Sequence, residues 1–305
     1  MGAFLSFFTW NLLSSSIRLT TPILLAALAA ALCNKAGVLN LAIEGEMLLG
    51  AFVAIVVSYL VRKYTGMGRA HAVFATSVGV AASLGFGMLL GWFMASIHSR
   101  YHSDLVIFSI AFNMLSSEIT VYIMRSVFHQ NGTWTDPSLV QLPAIGEYNI
   151  IVYLSWILTV VLIIVFHKTV FGRHLKAVGE APEAAASVGI SVKRVHYVAL
   201  IAGGMLACLG GAFLSVGHLI LFTRDMSSGR GWLGNAAALF GFNNPGGTFL
   251  ASLFFGFADA VALRLQNVTK IPPYIIQLMP YVLTLVILSV VSFRAKKKRS
   301  KNALY

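Results

Sequence analysis

A chain of 305 residues with 58% hydrophobic and only 10% charged side chains cannot clothe a soluble surface, for which about 25% charge is usual. Together with a mean hydropathy of +0.81, this makes it a polytopic membrane protein. The formal net charge of +12, from 22 Lys and Arg against 10 Asp and Glu, would suggest nucleic acid in a soluble protein; in a membrane protein it first reports which loops lie in the cytoplasm.

The opening MGAFLSFFTWNLLSSS lacks a basic n-region and is not read as a cleaved signal. Residues 3–16 are an interfacial or spanning first helix. A bilayer core takes about 20 apolar residues per helix. Stretches that qualify follow at 18–34, 38–61, 71–97, 104–128, 150–167, 195–221, 247–266 and 272–293. Residues 230–242 (RGWLGNAAALFGF) are apolar but short and rich in Gly. Segments of that kind form broken helices beside a central pathway. The expected fold is therefore an all-α polytopic bundle, one membrane domain over 1–305, with nine or ten crossing elements. Cys33 and Cys208 lie in apolar surroundings and read as small buried hydrophobes.

Residues 129–149 carry Asp136 and Glu147 and no Lys or Arg, which reads as an extracytoplasmic loop. Residues 168–196 hold Lys168, Arg173, Lys176, Lys193 and Arg194, and the tail 294–305 begins RAKKKRSK, with six more basic residues. Half of the basic side chains thus fall in two segments, and both are placed in the cytoplasm. Alternation from a cytoplasmic C-terminus then requires the weak 230–242 element to cross. It also leaves Arg62, Lys63 and Arg69 outside, against the rule. Residues 37–56 and 231–256 echo one another, each with Gly, a polar residue and small residues before a spanning run. That is the pattern of an inverted repeat with a pathway between its halves.

Within 168–196, Pro182 suits a first helical turn, Glu180 and Glu183 favour its positive end, and Glu183–Ser187 is strongly helix-forming. Gly189 is placed to cap the end. The expectation is one short amphipathic helix between two turns, small-residued enough for a partner protein to dock closely. The alternative is an ordinary surface loop.

This segment carries a family resemblance. FGRHLKAVGEAPEAAASVGISV resembles the coupling helix of ATP-binding cassette (ABC) importer permeases, in the branch that includes ribose and branched-chain amino acid systems. It matches at Gly172, Arg173, Ala177, Val178, Gly179, Pro182, Ala184, Ala185, Gly189 and Ile190. NKAGVLNLAIEGEMLLGAF (34–52) and GRGWLGNAAALFGFNNPGG (229–247) resemble the early and late motifs of the nucleoside-importing subgroup. Glu46 departs from it, standing where an apolar residue or Met is expected. The resemblance implies a type II-like importer permease in the bacterial cytoplasmic membrane. It implies an ATPase subunit seated on Gly172, Arg173, Gly179, Glu180, Pro182, Glu183, Ala184, Ala185 and Gly189, and a second, related permease. It also implies a lipid-anchored binding protein outside. ATP and Mg would belong to the ATPase: no GxxxxGK[ST] sequence occurs in this chain, and no cofactor, metal, catalytic or nucleic-acid role is assigned to it.

Polar groups within membrane segments tend to face a cavity or a partner. Asn40 and Glu44 share a helical face and are placed either on a polar solute or on the backbone of the broken helix. Glu46 points elsewhere, toward a subunit interface. Asn113 and Glu118 mark 104–128 as a pathway helix or as one held by interhelical hydrogen bonds, with Arg125 as a partner for Glu118. Asp259 is placed to pair with Arg264 or to serve the same structural role between helices. Trp232 and Asn235 are the late candidates, an indole to stack a base and an amide to read its edge; an interfacial anchor is the other reading of Trp232. The solute implied is a nucleoside; riboflavin, a sugar or a purine base is the alternative in the same machine. An ion-coupled secondary transporter titrating Glu44, Glu118 and Asp259 is the alternative of another class.

Overall fold

The computed structural model describes residues 10–65, 68–101, 103–268 and residue 282. Helix α1 runs unbroken from Trp10 to Lys35, so the boundary expected between 3–16 and 18–34 does not exist. Its polar stretch stays helical because the hydroxyls bond back along the helix, Ser16 to the Leu12 carbonyl at 2.7 Å and Thr20 to that of Ser16 at 2.7 Å. Every residue from Thr20 to Cys33 is buried, which makes α1 the central post of the bundle.

Around it stand α2 (Ile43–Thr65), α3 (Arg69–Tyr101), α4 (Leu105–Ser126), α5 (Ile150–Lys168), α8 (Val192–Ala212, continued by a π-helical turn over Phe213–Leu219) and α10 (Pro245–Val268). Seven helices among the described residues are long and apolar enough to cross a bilayer. The expected span 272–293 and the tail 294–305 lie outside the described residues. The weak element is a helix, α9, over Arg230–Phe240. Its 11 residues rise about 16 Å, roughly half of a bilayer core.

Small residues bring the helices close. Gly87 of α3 and Gly204 of α8 meet backbone to backbone, and Gly211 meets the Met47 carbonyl of α2. Leu24, Leu25 and Leu28 of α1 pack with Ile43, Met47 and Ile55 of α2 and with Leu206 and Leu209 of α8.

One end of the bundle carries 129–149. That segment is more ordered than a plain loop: β2 (Ala144–Ile145) pairs with β3 (Tyr148–Asn149), and β1 (Thr133–Thr135) pairs with β4 (Leu221–Thr223). Arg62 donates to the Ser138 carbonyl at 3.1 Å, so this basic residue does sit at the 129–149 end, held by main-chain oxygen. The other end carries 168–196. Here two helices form instead of the expected one, α6 (Val170–Glu180) and α7 (Pro182–Ser187). The basic entry is helical because the Thr169 hydroxyl caps it, accepting from Gly172 N–H at 3.2 Å. Gly179 lies within α6. Pro182 opens α7 as expected, and Gly189 follows it with φ 85°, a conformation glycine adopts without cost.

Candidate functional site

Two interrupted segments meet in the core. After α1 the chain passes through residues 36–42 before α2 begins at Ile43, and after β4 it turns through 224–229 before α9 begins at Arg230. The two helix N-termini abut: a Cβ on Gly231 would lie 2.7 Å from Glu44 Cα. Each N-terminus presents unpaired N–H groups and a partial positive charge. Glu44 answers the second. Its carboxylate accepts from Gly229 N–H at 2.8 Å and from Gly231 N–H at 2.7 Å. Of the two readings of Glu44, backbone fixation is the one observed, across the two broken segments rather than within its own.

Asn113 answers the first. Its Oδ1 accepts from Gly45 N–H at 2.8 Å and its Nδ2 donates to the Leu41 carbonyl at 2.9 Å, so α4 is pinned to the start of α2. Asn40 is fully buried; its Oδ1 accepts from Ala42 N–H at 2.9 Å. Glu46 is also fully buried within the chain, with Asn40 Nδ2 3.4 Å away, so it is not at a subunit surface. Asn40, Glu44 and Asn113 therefore come together as a junction.

Asn113→Ala strands the Gly45 donor and the Leu41 acceptor, each costing about 1–3 kcal/mol when buried. The expected result is a thermal unfolding midpoint in detergent well below that of the parent. An unchanged midpoint would remove Asn113 from the junction.

The remaining candidates lie apart. Glu118 is 68% exposed and pairs at 3.0 Å with Arg224, from the turn before α9, not with Arg125. Beside it Ser117 donates to Asp225 at 2.5 Å. Arg224 and Asp225, 54% and 61% exposed, carry no local sequence signal for this contact, because Glu118 and Ser117 are over a hundred residues away. Trp232 is 40% exposed. Asn235 is buried, its Nδ2 3.4 Å from the Gly231 carbonyl, so it braces the first turn of α9. Asp259 pairs with Arg230 at 3.6 Å, correcting the expected match with Arg264.

At the 168–196 end, α6 buries Gly172, Leu175 and Val178 and exposes Arg173, Lys176 and Glu180. Its buried face packs with Leu32 of α1, with Ala36 just beyond that helix, and with Val195 and Ala199 of α8. A Cβ on Gly179 would overlap the Lys35 carbonyl oxygen and lie 3.1 Å from Gly37 N. In α7 only Ala185 is buried; Pro182, Glu183 and Ala184 face outward. The segment is thus a platform anchored on one face and open on the other.

A family model described as "Branched-chain amino acid transport system / permease component" matches residues 12–288. The chain belongs to that permease family. The permease is 28% identical to the guanosine ABC transporter permease protein NupQ of Bacillus subtilis, over 93% of this chain and 92% of that one. It is 26% identical to the nucleoside ABC transporter permease protein NupC of Lactococcus lactis, over 94% and 93%. It is 29% identical to the putative glucose ABC transporter permease protein TsgC13 of Haloferax volcanii, over 96% and 94%. A second permease protein of each of the first two organisms, NupP and NupB, also matches. No solved structure matches it significantly.

Proposed function

We propose that the permease is the membrane subunit of an ATP-driven importer and carries a nucleoside toward the 168–196 end, which lies in the cytoplasm. The observation that carries this reading is the α6–α7 platform, packed backbone to backbone on the end of α1 while α7 stays exposed. A self-contained ion-coupled transporter has no use for such a docking element. An ATPase seated on α7 would supply ATP and Mg chemistry from its own chain. A lipid-anchored binding protein would deliver solute at the 129–149 end, and a second, related permease would complete the pathway. That two guanosine permease proteins of one organism, NupQ and NupP, both match the chain supports the pairing.

Glu118, Arg224 and Asp225 support the pathway's position. Glu118 lies 13 residues into the spanning helix α4, and charge so exposed at that depth is costly against lipid. This face would be turned to water in the pathway or to the second permease, and the half-exposed Trp232 would stack a base.

Guanosine relatives favour a nucleoside, and the glucose relative keeps a sugar as the second reading. Competition separates them: excess unlabelled nucleoside should suppress uptake of labelled guanosine by vesicles holding the whole complex, and excess glucose should leave it unchanged. Suppression by glucose alone would reverse the assignment. Trp232→Ala should raise KM for guanosine about tenfold, since stacking a base on an aromatic ring is worth about 1–3 kcal/mol, with assembly kept. An unchanged KM would take Trp232 off the pathway.

A further inference from the structure

Helix α9 is too short to span the bilayer, so its position depends on what holds its ends. A single stretch of chain, residues 34–44, holds both. At the N-terminal end stands the Glu44 carboxylate on Gly229 and Gly231. At the C-terminal end, Asn34 Nδ2 donates to Asn243 Oδ1 at 3.1 Å. Asn243 is itself locked to α9, its N–H donating to the Ala238 carbonyl at 2.8 Å, with a left-handed φ of 52°. Between these two points the same stretch turns at Gly37, where a Cβ would lie 3.1 Å from Gly179 Cα of the platform. Platform, turn and both ends of α9 therefore form one connected chain of contacts, main chain at the platform and side-chain hydrogen bonds at the two ends of α9.

We infer that residues 34–44 are a brace through which the platform positions α9, with Asn34 and Asn243 as positioning residues at its far joint. Displacement of α6 presses on Lys35 and Gly37 through bare glycine backbone, where no flexible side chain absorbs it. The brace then carries α9 at both ends together, so that the abutting N-termini at Glu44 and the segment bearing Arg224 and Asp225 shift with it. This inference rests on the proposed docking of an ATPase at 168–196.

The test uses the whole complex in lipid vesicles and reads solute moved per ATP hydrolysed. Asn243→Gly removes the amide and leaves the backbone free to keep its left-handed conformation. The ratio should fall about fivefold or more, the range of coupling between linked sites, while the ATPase stays bound and hydrolyses ATP. An unchanged ratio overturns the brace. Asn34→Cys with Asn243→Cys, in a chain whose Cys33 and Cys208 are replaced by Ala, provides a rescue. Unbridged, this pair should show the same low ratio; bridged by a short bifunctional thiol reagent, it should regain the parent ratio. A ratio that stays low after bridging overturns the brace as well. Failure of the underlying reading is distinguishable, because the parent complex would then show no ATP-driven uptake.

Discussion

Gly179→Leu should abolish ATP-driven uptake while the permease still inserts in the membrane. Any Cβ at this position overlaps the Lys35 carbonyl, and the nearby atoms are main chain: Lys35 C and Gly37 N, each 3.1 Å away. Close-packed interiors do not yield to an added side chain, and overpacking costs about 1–3 kcal/mol. Here the cost should be met by lifting α6 off residues 35–37, which would separate the platform from the rest of the bundle. The ATPase should remain bound and hydrolyse ATP without moving solute. Gly179→Ala should show the same defect in milder form. Gly85→Ala in α3 is the matched control, since nothing lies within 4 Å of its Cβ. Normal uptake by Gly179→Leu with the ATPase in place would end the coupling assignment.

The second large effect is at Glu44. Its replacement by Ala leaves the Gly229 and Gly231 N–H groups without their acceptor and removes a negative charge from between two helix N-termini. Hydrogen bonds to a charged group are worth about 1.5–3 kcal/mol each, so the junction should lose on the order of 3 kcal/mol or more. The expected outcome is a sharp fall in the amount of folded permease and in its unfolding midpoint. Glu44→Gln keeps one acceptor oxygen and should be intermediate. If Glu44→Ala instead folds with a normal midpoint and only loses uptake, the carboxylate belongs to the solute and not to the junction.

The two sites differ in how much of them could be read from the residues alone. Pro182 and Gly189 act through their own backbone, so the sequence predicts their places at the ends of α7 correctly. The cysteines, apolar by neighbourhood, are buried as expected. Hydropathy finds the main spans but divides α1 at its Ser-rich stretch, because it counts hydroxyls as polar without seeing that they bond back to the helix. The misread pairs share one cause. Arg125 and Arg264 were the local matches for Glu118 and Asp259, whereas the structure supplies Arg224 and Arg230 from distant turns. Glu44, placed evenly between solute and backbone, finds its acceptor role 185 residues away, where periodicity carries no information. Asn34, Gly37 and Asn243 fall inside the early and late motifs, but which atoms they meet is set by what the fold brings against them.

The most direct measurement is uptake of labelled guanosine by sealed vesicles holding the permease with its ATPase, second permease and binding protein. Uptake should require ATP and Mg on the side of the α6–α7 platform and continue when a protonophore collapses the proton gradient. Uptake that proceeds on a proton or sodium gradient without ATP would contradict the proposed function.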